Sequence, residues 1–581
     1  MRIVCLLVFV LPTLNVALPA TKSLRENLHR LSTVVSQIAA RTSGAIECDV
    51  CKAAVLLIKP LVGLPNVEDE VAKIISDACT DLKIEDKTVC DGIANEFRPE
   101  VFGVLLDRYV TADEVCGAIF GDSCADPYNP YDNWTIPIPP NKPPRRPPAP
   151  PKAGSPIMKI IQLSDTHHDF AYEEGRDTDC GEPLCCRTSD KWVGKLGAGK
   201  WGDYKCDPPV QTLENMYEYI SKNIDFDAIY WTGDVPPHNV WDQPRAEQLD
   251  VIDNVTRLMF KYFPDKIVYP ALGNHDSAPV NSFPPPFVTG NDSEAWLYDT
   301  LSENWSKDWL PASTVDTIRY GGFYSTNVSK YFRIISLNMN YCNNENFWLY
   351  INTTDPAGQL EWLTKQLLEA EAAHQKVHII GHIPPQSGDC LLPWSQAYYS
   401  IVNRFEGTIS GQFFGHTHVT SVSVFYDEKE ASVPTNVAYI GPSVTTYSDL
   451  NPAFRVYTVD GSYPNSSFAV LDYADYIMNL TEANLNGVPN WQKEYSARSA
   501  YDMKWLFPSD WNDFINRCKA NSTLVGIYDK YYHHSHVMEP CDASCAQSHI
   551  CSMEHARSHQ PCKMPSGEMP SGVQSKAKKL C

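Results

Sequence analysis

Six short apolar runs govern what this chain can fold into. "IMKIIQLSD", "FDAIYWTGD", "DKIVYPALGNHD", "KYFRIISLN", "KVHIIGH" and "ISGQFFGHTH" each end in aspartate, asparagine or histidine. Between them, "PPVQTLENMYEYISKN" and "PAGQLEWLTKQLLEAEAAH" carry helical apolar spacing. Strands alternating with helices predict a layered α/β domain, with functional groups at the carboxyl ends of the strands. There stand Asp165-Thr166-His167, Gly233-Asp234, Gly273-Asn274-His275-Asp276, Gly381-His382 and Gly415-His416-Thr417-His418. Extended backbone through Asp-x-His or His-x-His would point both side chains the same way, and the glycines allow tight turns beside a bound group. Carboxylate, amide and imidazole donors together suit Zn, Mn or Fe, and a carboxylate open on both oxygens suits the bridging of a metal pair for phosphoryl transfer. His378, inside "KVHII", and His168 read as structural histidines instead.

Ahead of this region the chain opens "MRIVCLLVFVLPTLNVALPA", a secretory signal over residues 1–20, too short and wrongly flanked for a membrane span. No later segment reaches about 18 uninterrupted apolar residues, so no transmembrane segment is expected. Of 19 cysteines, 18 remain once Cys5 leaves with the signal, an even number suited to disulfides. Nine sequons, at Asn133, Asn254, Asn291, Asn304, Asn327, Asn352, Asn465, Asn479 and Asn521, point to a glycoprotein of the secretory pathway, secreted or lysosomal. A net charge of −22 argues against nucleic acid as a partner.

Residues 45–128 hold six cysteines, Cys48, Cys51, Cys79, Cys90, Cys116 and Cys124, among apolar helical runs, which suggests a small helical domain stapled by three bridges. That unit carries 17 acidic against 7 basic residues, so its engagement with membranes is expected to improve on acidification. Residues 129–156 are proline-rich, and "IPIPPNKPPRRPPAPPKAGSP" predicts a semi-rigid spacer that is not a packed element. Residues 480–581 read as a helical, cysteine-containing tail.

The ordered set DxH, GD, GNH, GH, GHxH resembles the calcineurin-like metallophosphoesterases, and the six-cysteine unit resembles a saposin B-type domain. The finer wording "GDVPPHNVW", "GNHDS", "HIPP", "FFGHTHV", "TTYSDLNPAFRVY" and "DCGEPLCCR" resembles the acid sphingomyelinase family over nearly the whole chain. The resemblance implies an α/β fold, a four-layered metallophosphoesterase sandwich over residues 157–479, with an N-terminal all-helical saposin domain and a helical C-terminal segment. It implies a hydrolase that cleaves sphingomyelin to ceramide and phosphocholine at acidic pH, with two zinc ions per chain.

By the same resemblance Asp165, His167 and His418 would hold one zinc, Asn274, His382 and His416 the second, and Asp234 would bridge them. His238 and His275 correspond to the family's histidines beside the leaving group, and either could be the general acid. Glu345 and Tyr447 match positions near the choline head group. The implied disulfides are Cys48–Cys124, Cys51–Cys116, Cys79–Cys90, Cys180–Cys185, Cys186–Cys206, Cys342–Cys390, Cys541–Cys545 and Cys551–Cys562. Cys518 and Cys581 are left either bridged or free. The saposin domain would bring the enzyme, as a monomer, to sphingomyelin-containing membranes. A related phosphodiesterase acting on nucleotides or other soluble phosphodiesters is the competing reading; the saposin domain argues against it. "YYHHSH", with His533, His534 and His536, reads as a solvated loop and not a second metal site.

Overall fold

The computed structural model describes residues 67–81, 83–106 and 133–560, Met538 apart, with isolated positions at 52–59 and 111–113. The signal segment, Cys48, Cys51, Cys116, Cys124, Cys562 and Cys581 lie outside the described residues. Two six-stranded sheets form the centre. The first runs in the order β12 (Trp491–Ser496), β11 (Val470–Met478), β10 (Ala453–Asp460), β1 (Ile157–Leu163), β2 (Ala228–Trp231) and β3 (Ile267–Pro270). The second runs β4 (Tyr324–Ser329), β5 (Phe332–Ser336), β6 (Lys376–Ile380), β7 (Ile409–Phe414), β9 (Pro434–Ile440) and β8 (Ser421–Tyr426). β1, β2 and β3 are mutually parallel, as are β5, β6, β7 and β9, while the strands at the other positions pair antiparallel.

Side-chain alternation sorts the layers. In β6, Val377 and Ile379 face outward into a core with Leu363 and Leu367 of helix Gln359–Ala372. His378 and Ile380 face inward; Ile380 joins the core between the sheets with Ile161, Tyr230 and Phe413. Helices Val210–Asn223 and Arg245–Tyr262 bury Leu213, Met216, Val255 and Met259 in that same core. His378 is structural. Its Nε2 donates to the Phe468 carbonyl at 2.8 Å, which leaves Nδ1 to accept the Tyr230 hydroxyl at 2.8 Å. The tail is helical over Pro508–Ala520, Ser522–Tyr532 and Ala543–Glu554, but its beginning also supplies the edge strand β12. No helix among the described residues is long and apolar enough to cross a membrane.

The proline-rich segment departs from the spacer expected of it. It has no helix or strand, yet Ile136 is buried in the outer core of the second sheet, and Arg404 Nε donates to the Pro139 carbonyl at 2.8 Å. Lys142 and Arg145 each reach Glu406 at 2.9 Å. Proline cannot donate to a ladder, but its carbonyl still accepts, and that suffices to lay the segment against the domain.

Helices Val67–Asp81 and Lys87–Glu96 pack on each other, joined by Cys79–Cys90. The second of them meets the turn after β2: a Cβ on Gly92 would lie 2.1 Å from the Trp241 carbonyl oxygen. Across this interface acids face acids. Burial and nearby Asp86 push Glu182 up to about 7, and burial and Asp242 raise Glu96. Burial pushes Glu100 up to about 7, only partly offset by Ser282 and Trp348. Glu294 is pushed up to about 8, mainly by burial, with Glu100 adding to it. Raised carboxyl pKa values mean that the docked state binds more protons. The contact is therefore fully stable below about pH 4.5 and loses stability as pH rises through 7, by roughly 3 kcal/mol for the fully buried Glu100. Hydrogen exchange across residues 98–106 should accordingly show more protection near about pH 5 than about pH 8, after correction for intrinsic rates. Glu100→Gln should flatten that difference; equal protection at both pH values in the native chain would exclude acid-linked docking.

Candidate metal centre

The parallel order of β1, β2 and β3 sets Asp165, Asp234 and Asn274 side by side, and the adjacent β6 and β7 do the same for His382 and His416. The two carboxyl edges then close on one another. A Cβ on Gly415 would stand 1.9 Å from Ser164 Oγ and 2.6 Å from an Asp165 oxygen, so only glycine lets the sheets approach this far. Extended backbone was expected through the Asp-x-His and His-x-His pairs. Instead Asp165, His167, Asp234, His416 and His418 all have positive φ, between 36° and 72°. The chain turns over at each strand end, and a left-handed residue is what folds neighbouring side chains into one small volume. Each such non-glycine residue costs on the order of 1–2 kcal/mol, carried by the surrounding sheets.

Seven side chains converge there, all of them buried. Asn274 Oδ1 lies 2.9 Å from His416 Nδ1 and 3.1 Å from His382 Nε2. Asp234 Oδ2 lies 3.0 Å from His382 Nε2 and 3.4 Å from His167 Nε2. His418 Nε2 lies 3.3 Å from His167 Nε2 and 3.6 Å from Asp165 Oδ1. The donors thus fall into two sets that share Asp234.

The outer hydrogen bonds decide which ring nitrogens carry lone pairs inward. His382 Nδ1 donates to the Thr232 carbonyl at 2.6 Å and His167 Nδ1 to the Pro236 carbonyl at 2.8 Å. His416 Nε2 donates to Asp389 at 3.1 Å. The remaining nitrogens face oxygens or one another, lone pair toward lone pair, an arrangement that a cation between them satisfies. The electrostatics agree. Burial opposes charging His167 and His382, yet Asp234 lifts both to about 9. The cluster calls for positive charge, which a divalent ion held by these residues would supply. The donor set therefore fits a metal centre of hard and borderline ligands.

His238 and His275 stand over the same volume, their rings 4.0 and 4.8 Å from that of His167. Both are buried, and burial, with His167 beside them, holds their pKa values well below the ordinary histidine value. His238 Nδ1 is gripped by Asp207 at 2.9 and 3.0 Å, and Tyr447 stacks on its ring at 4.4 Å. His275 accepts no comparable grip: its Nδ1 has no hydrogen-bond partner among the described residues, while its backbone donates to Asp234 at 2.8 Å. Glu345 accepts from Asn281, whose backbone in turn donates to the Asn274 carbonyl at 2.9 Å.

Three residues of this site have supporting roles that sequence reasoning does not assign. Asp207 also accepts from Thr445 and from the His238 backbone. Asp276 clamps two turns by accepting from Val235 and Gly273, and Asp389 orients His416. Only Asp276 had a signal, its place directly after Gly273-Asn274-His275. The "YYHHSH" histidines do not converge: His533 turns to Asp529, His534 to the Asn451 carbonyl and His536 to the Asp449 carbonyl.

The structure pairs Cys79–Cys90, Cys180–Cys185, Cys186–Cys206, Cys342–Cys390 and Cys541–Cys545, and leaves Cys518 a buried thiol. The pairings through Cys48, Cys51 and Cys562 lie outside the described residues. None of the nine sequon asparagines is buried.

Residues 158–420 match the family model of the calcineurin-like phosphoesterases, and residues 433–562 match that of the acid sphingomyelin phosphodiesterase C-terminal region. Sphingomyelin phosphodiesterase of Homo sapiens is 44% identical over 540 residues, 91% of this chain and 84% of that protein. Sphingomyelin phosphodiesterase B of Dictyostelium discoideum is 39% identical over 88% of this chain and 80% of its own length. The cyclic GMP-AMP phosphodiesterase SMPDL3A of Rattus norvegicus is 33% identical, covering 69% of this chain and 91% of its own.

The Asp207 grip yields a test. Asp207→Asn should lower kcat for a phosphodiester by about 10- to 100-fold while KM and bound metal stay unchanged, since it frees His238 to rotate. Loss of metal in that variant, read by elemental analysis, would show that Asp207 supports a ligand and not a proton donor.

Proposed function

The chain belongs to the acid sphingomyelin phosphodiesterase family of the calcineurin-like phosphoesterases, and from that premise we propose that it is a zinc-dependent phosphodiesterase that hydrolyses sphingomyelin to ceramide and phosphocholine at acidic pH. The observation that carries the reading is the convergence of seven buried donors into two sets sharing Asp234. Asp165, His167 and His418 would hold one zinc and Asn274, His382 and His416 the other, with Asp234 between them. Zinc bound there would neutralise the phosphoryl oxygens and ease deprotonation of the attacking water.

The protein's own groups do the rest. The ceramide alkoxide is a poor leaving group and needs a proton. We assign its donation to His238, because Asp207 fixes Nδ1 as the bonded nitrogen and turns Nε2 toward the donor cluster. His275 sits beside it, the two rings 4.6 Å apart. A pKa depressed by burial keeps these rings neutral until the medium is acidic, so the donating form grows as pH falls. The half-buried Tyr447 offers a ring face, and Glu345 a carboxylate, to the quaternary ammonium of choline. The N-terminal helices, as a saposin-type unit over residues 45–128, would present the lipid. The signal, sequons and disulfides fit residence along the secretory pathway, secreted or lysosomal.

A phosphodiesterase of soluble nucleotides would use the same donors. The extent of likeness favours sphingomyelin: the sphingomyelin phosphodiesterase of Homo sapiens and sphingomyelin phosphodiesterase B of Dictyostelium discoideum match 91% and 88% of this chain, whereas the cyclic GMP-AMP phosphodiesterase of Rattus norvegicus matches 69%. Hydrolysis of sphingomyelin vesicles and of nucleotide phosphodiesters, near about pH 5 and pH 7 with and without a zinc chelator, tests the reading. Sphingomyelin should be preferred, at acidic pH, with activity abolished by chelation. Faster cleavage of the nucleotides would favour the alternative. His238→Gln should keep its zinc and lose about 10²–10⁴-fold in turnover; a variant short of one zinc would make His238 a ligand.

A further inference from the structure

The segment Lys191-Trp192-Val193-Gly194-Lys195-Leu196-Gly197-Ala198-Gly199-Lys200 is an outlier on this acidic chain: three lysines and no carboxylate. It is also apolar where apolar residues are least expected. Leu196 is 91% exposed and Trp192 59%, and the three lysines beside them are exposed as well. A second apolar tip adjoins it. Asn484 accepts from Trp201 N at 2.9 Å and donates to the Gly202 carbonyl at 3.0 Å, which brings Leu485 (80% exposed) and Val488 (67%) alongside the loop.

The loop is not a loose excursion. Gly197 N donates to Gly194 O and Ala198 N to Arg176 O, and Gly199 pairs with Gly202. The disulfide Cys186–Cys206 closes its base, and the next residue is Asp207, which holds His238. The Thr446 hydroxyl donates to the Cys206 carbonyl at 2.7 Å, and the Tyr447 hydroxyl to the Pro183 carbonyl at 2.9 Å. The exposed tips therefore rise from a rigid rim whose base is tied to the candidate centre at Asp207 and Tyr447.

We infer that this rim is a membrane-docking surface of the catalytic domain itself, with Trp192, Leu196, Leu485 and Val488 entering the interfacial layer of a bilayer and Lys191, Lys195 and Lys200 meeting anionic lipid head groups. Tryptophan with lysine around it is the composition that settles at the head-group level, and its lysines add attraction to a negative surface. Four large apolar side chains this exposed, set beside three exposed lysines, mark an interaction surface. The inference deepens the sphingomyelinase reading, since a lipid substrate must be met at its surface.

Vesicle cosedimentation of the full chain tests it, using phosphatidylcholine–sphingomyelin vesicles with and without phosphatidylserine. Trp192→Ala with Leu196→Ala should weaken binding to both by about tenfold. Lys191→Gln, Lys195→Gln and Lys200→Gln together should remove only the gain from phosphatidylserine. Turnover of a soluble phosphodiester, bis(p-nitrophenyl) phosphate, should be unchanged in both variants, which also shows that they fold. Undiminished vesicle binding by the apolar variant, or an undiminished phosphatidylserine gain in the lysine variant, overturns the assignment. Binding is read apart from hydrolysis: a chain that docks through this loop yet leaves sphingomyelin intact upholds the loop and sinks the substrate reading.

Discussion

Two carboxylates placed where water cannot reach them set the terms for the rest of the molecule. Asp165 and Asp234 are at most 1% exposed, and among the described residues neither has a lysine or arginine against it. A buried anion without a counter-charge is expensive. Here the compensation comes from imidazoles aimed inward and from the cation that such a donor set accepts. To bring those groups together, two sheets from distant parts of the chain must meet at their carboxyl edges. Gly415 permits the meeting, Asp276 ties two of the turns, and five left-handed residues bend the ligands inward. Binding capacity at the centre and strain at its margins thus have one origin.

The centre was legible in the sequence because its donors stand at strand ends, and strand ends can be read from apolar runs. Asp165, His167, Asp234, Asn274, His382, His416 and His418 all came from that pattern together with family resemblance, and the structure gathers all seven. Their supports were not legible. Asp207 lies in a loop tied to the site by a disulfide, and Asp389 lies after a proline turn; neither spacing repeats a motif. Backbone handedness was read wrongly for a physical reason. Period-two reasoning holds within a strand and fails at the residue where the strand stops. His378 shows the converse case, a histidine inside a strand whose two nitrogens are both satisfied locally.

Proline content misled in a similar way. It correctly excluded helix and strand for residues 134–156, but a segment without regular structure can still be fixed by its carbonyls and its few charged side chains. The acidic balance of the N-terminal helices was visible as composition. What composition did not reveal is that their acids meet other acids on the catalytic domain, so that Asp86, Glu96 and Glu100 are set against Glu182, Asp242 and Glu294. Solubility and acid-dependent contact draw on the same residues.

The fastened proline segment also sets a geometric limit. Because Arg404, Lys142 and Arg145 hold the chain from Pro139 onward, the covalent connection between the N-terminal helices and the domain is no longer than the stretch from Leu106 to Trp134 and does not run on to residue 156. Even fully extended, that stretch spans no more than about 100 Å. A helical unit released from its contact therefore remains at an effective concentration on the order of millimolar near its own docking face. Release and return are one-molecule events, indifferent to how dilute the protein becomes.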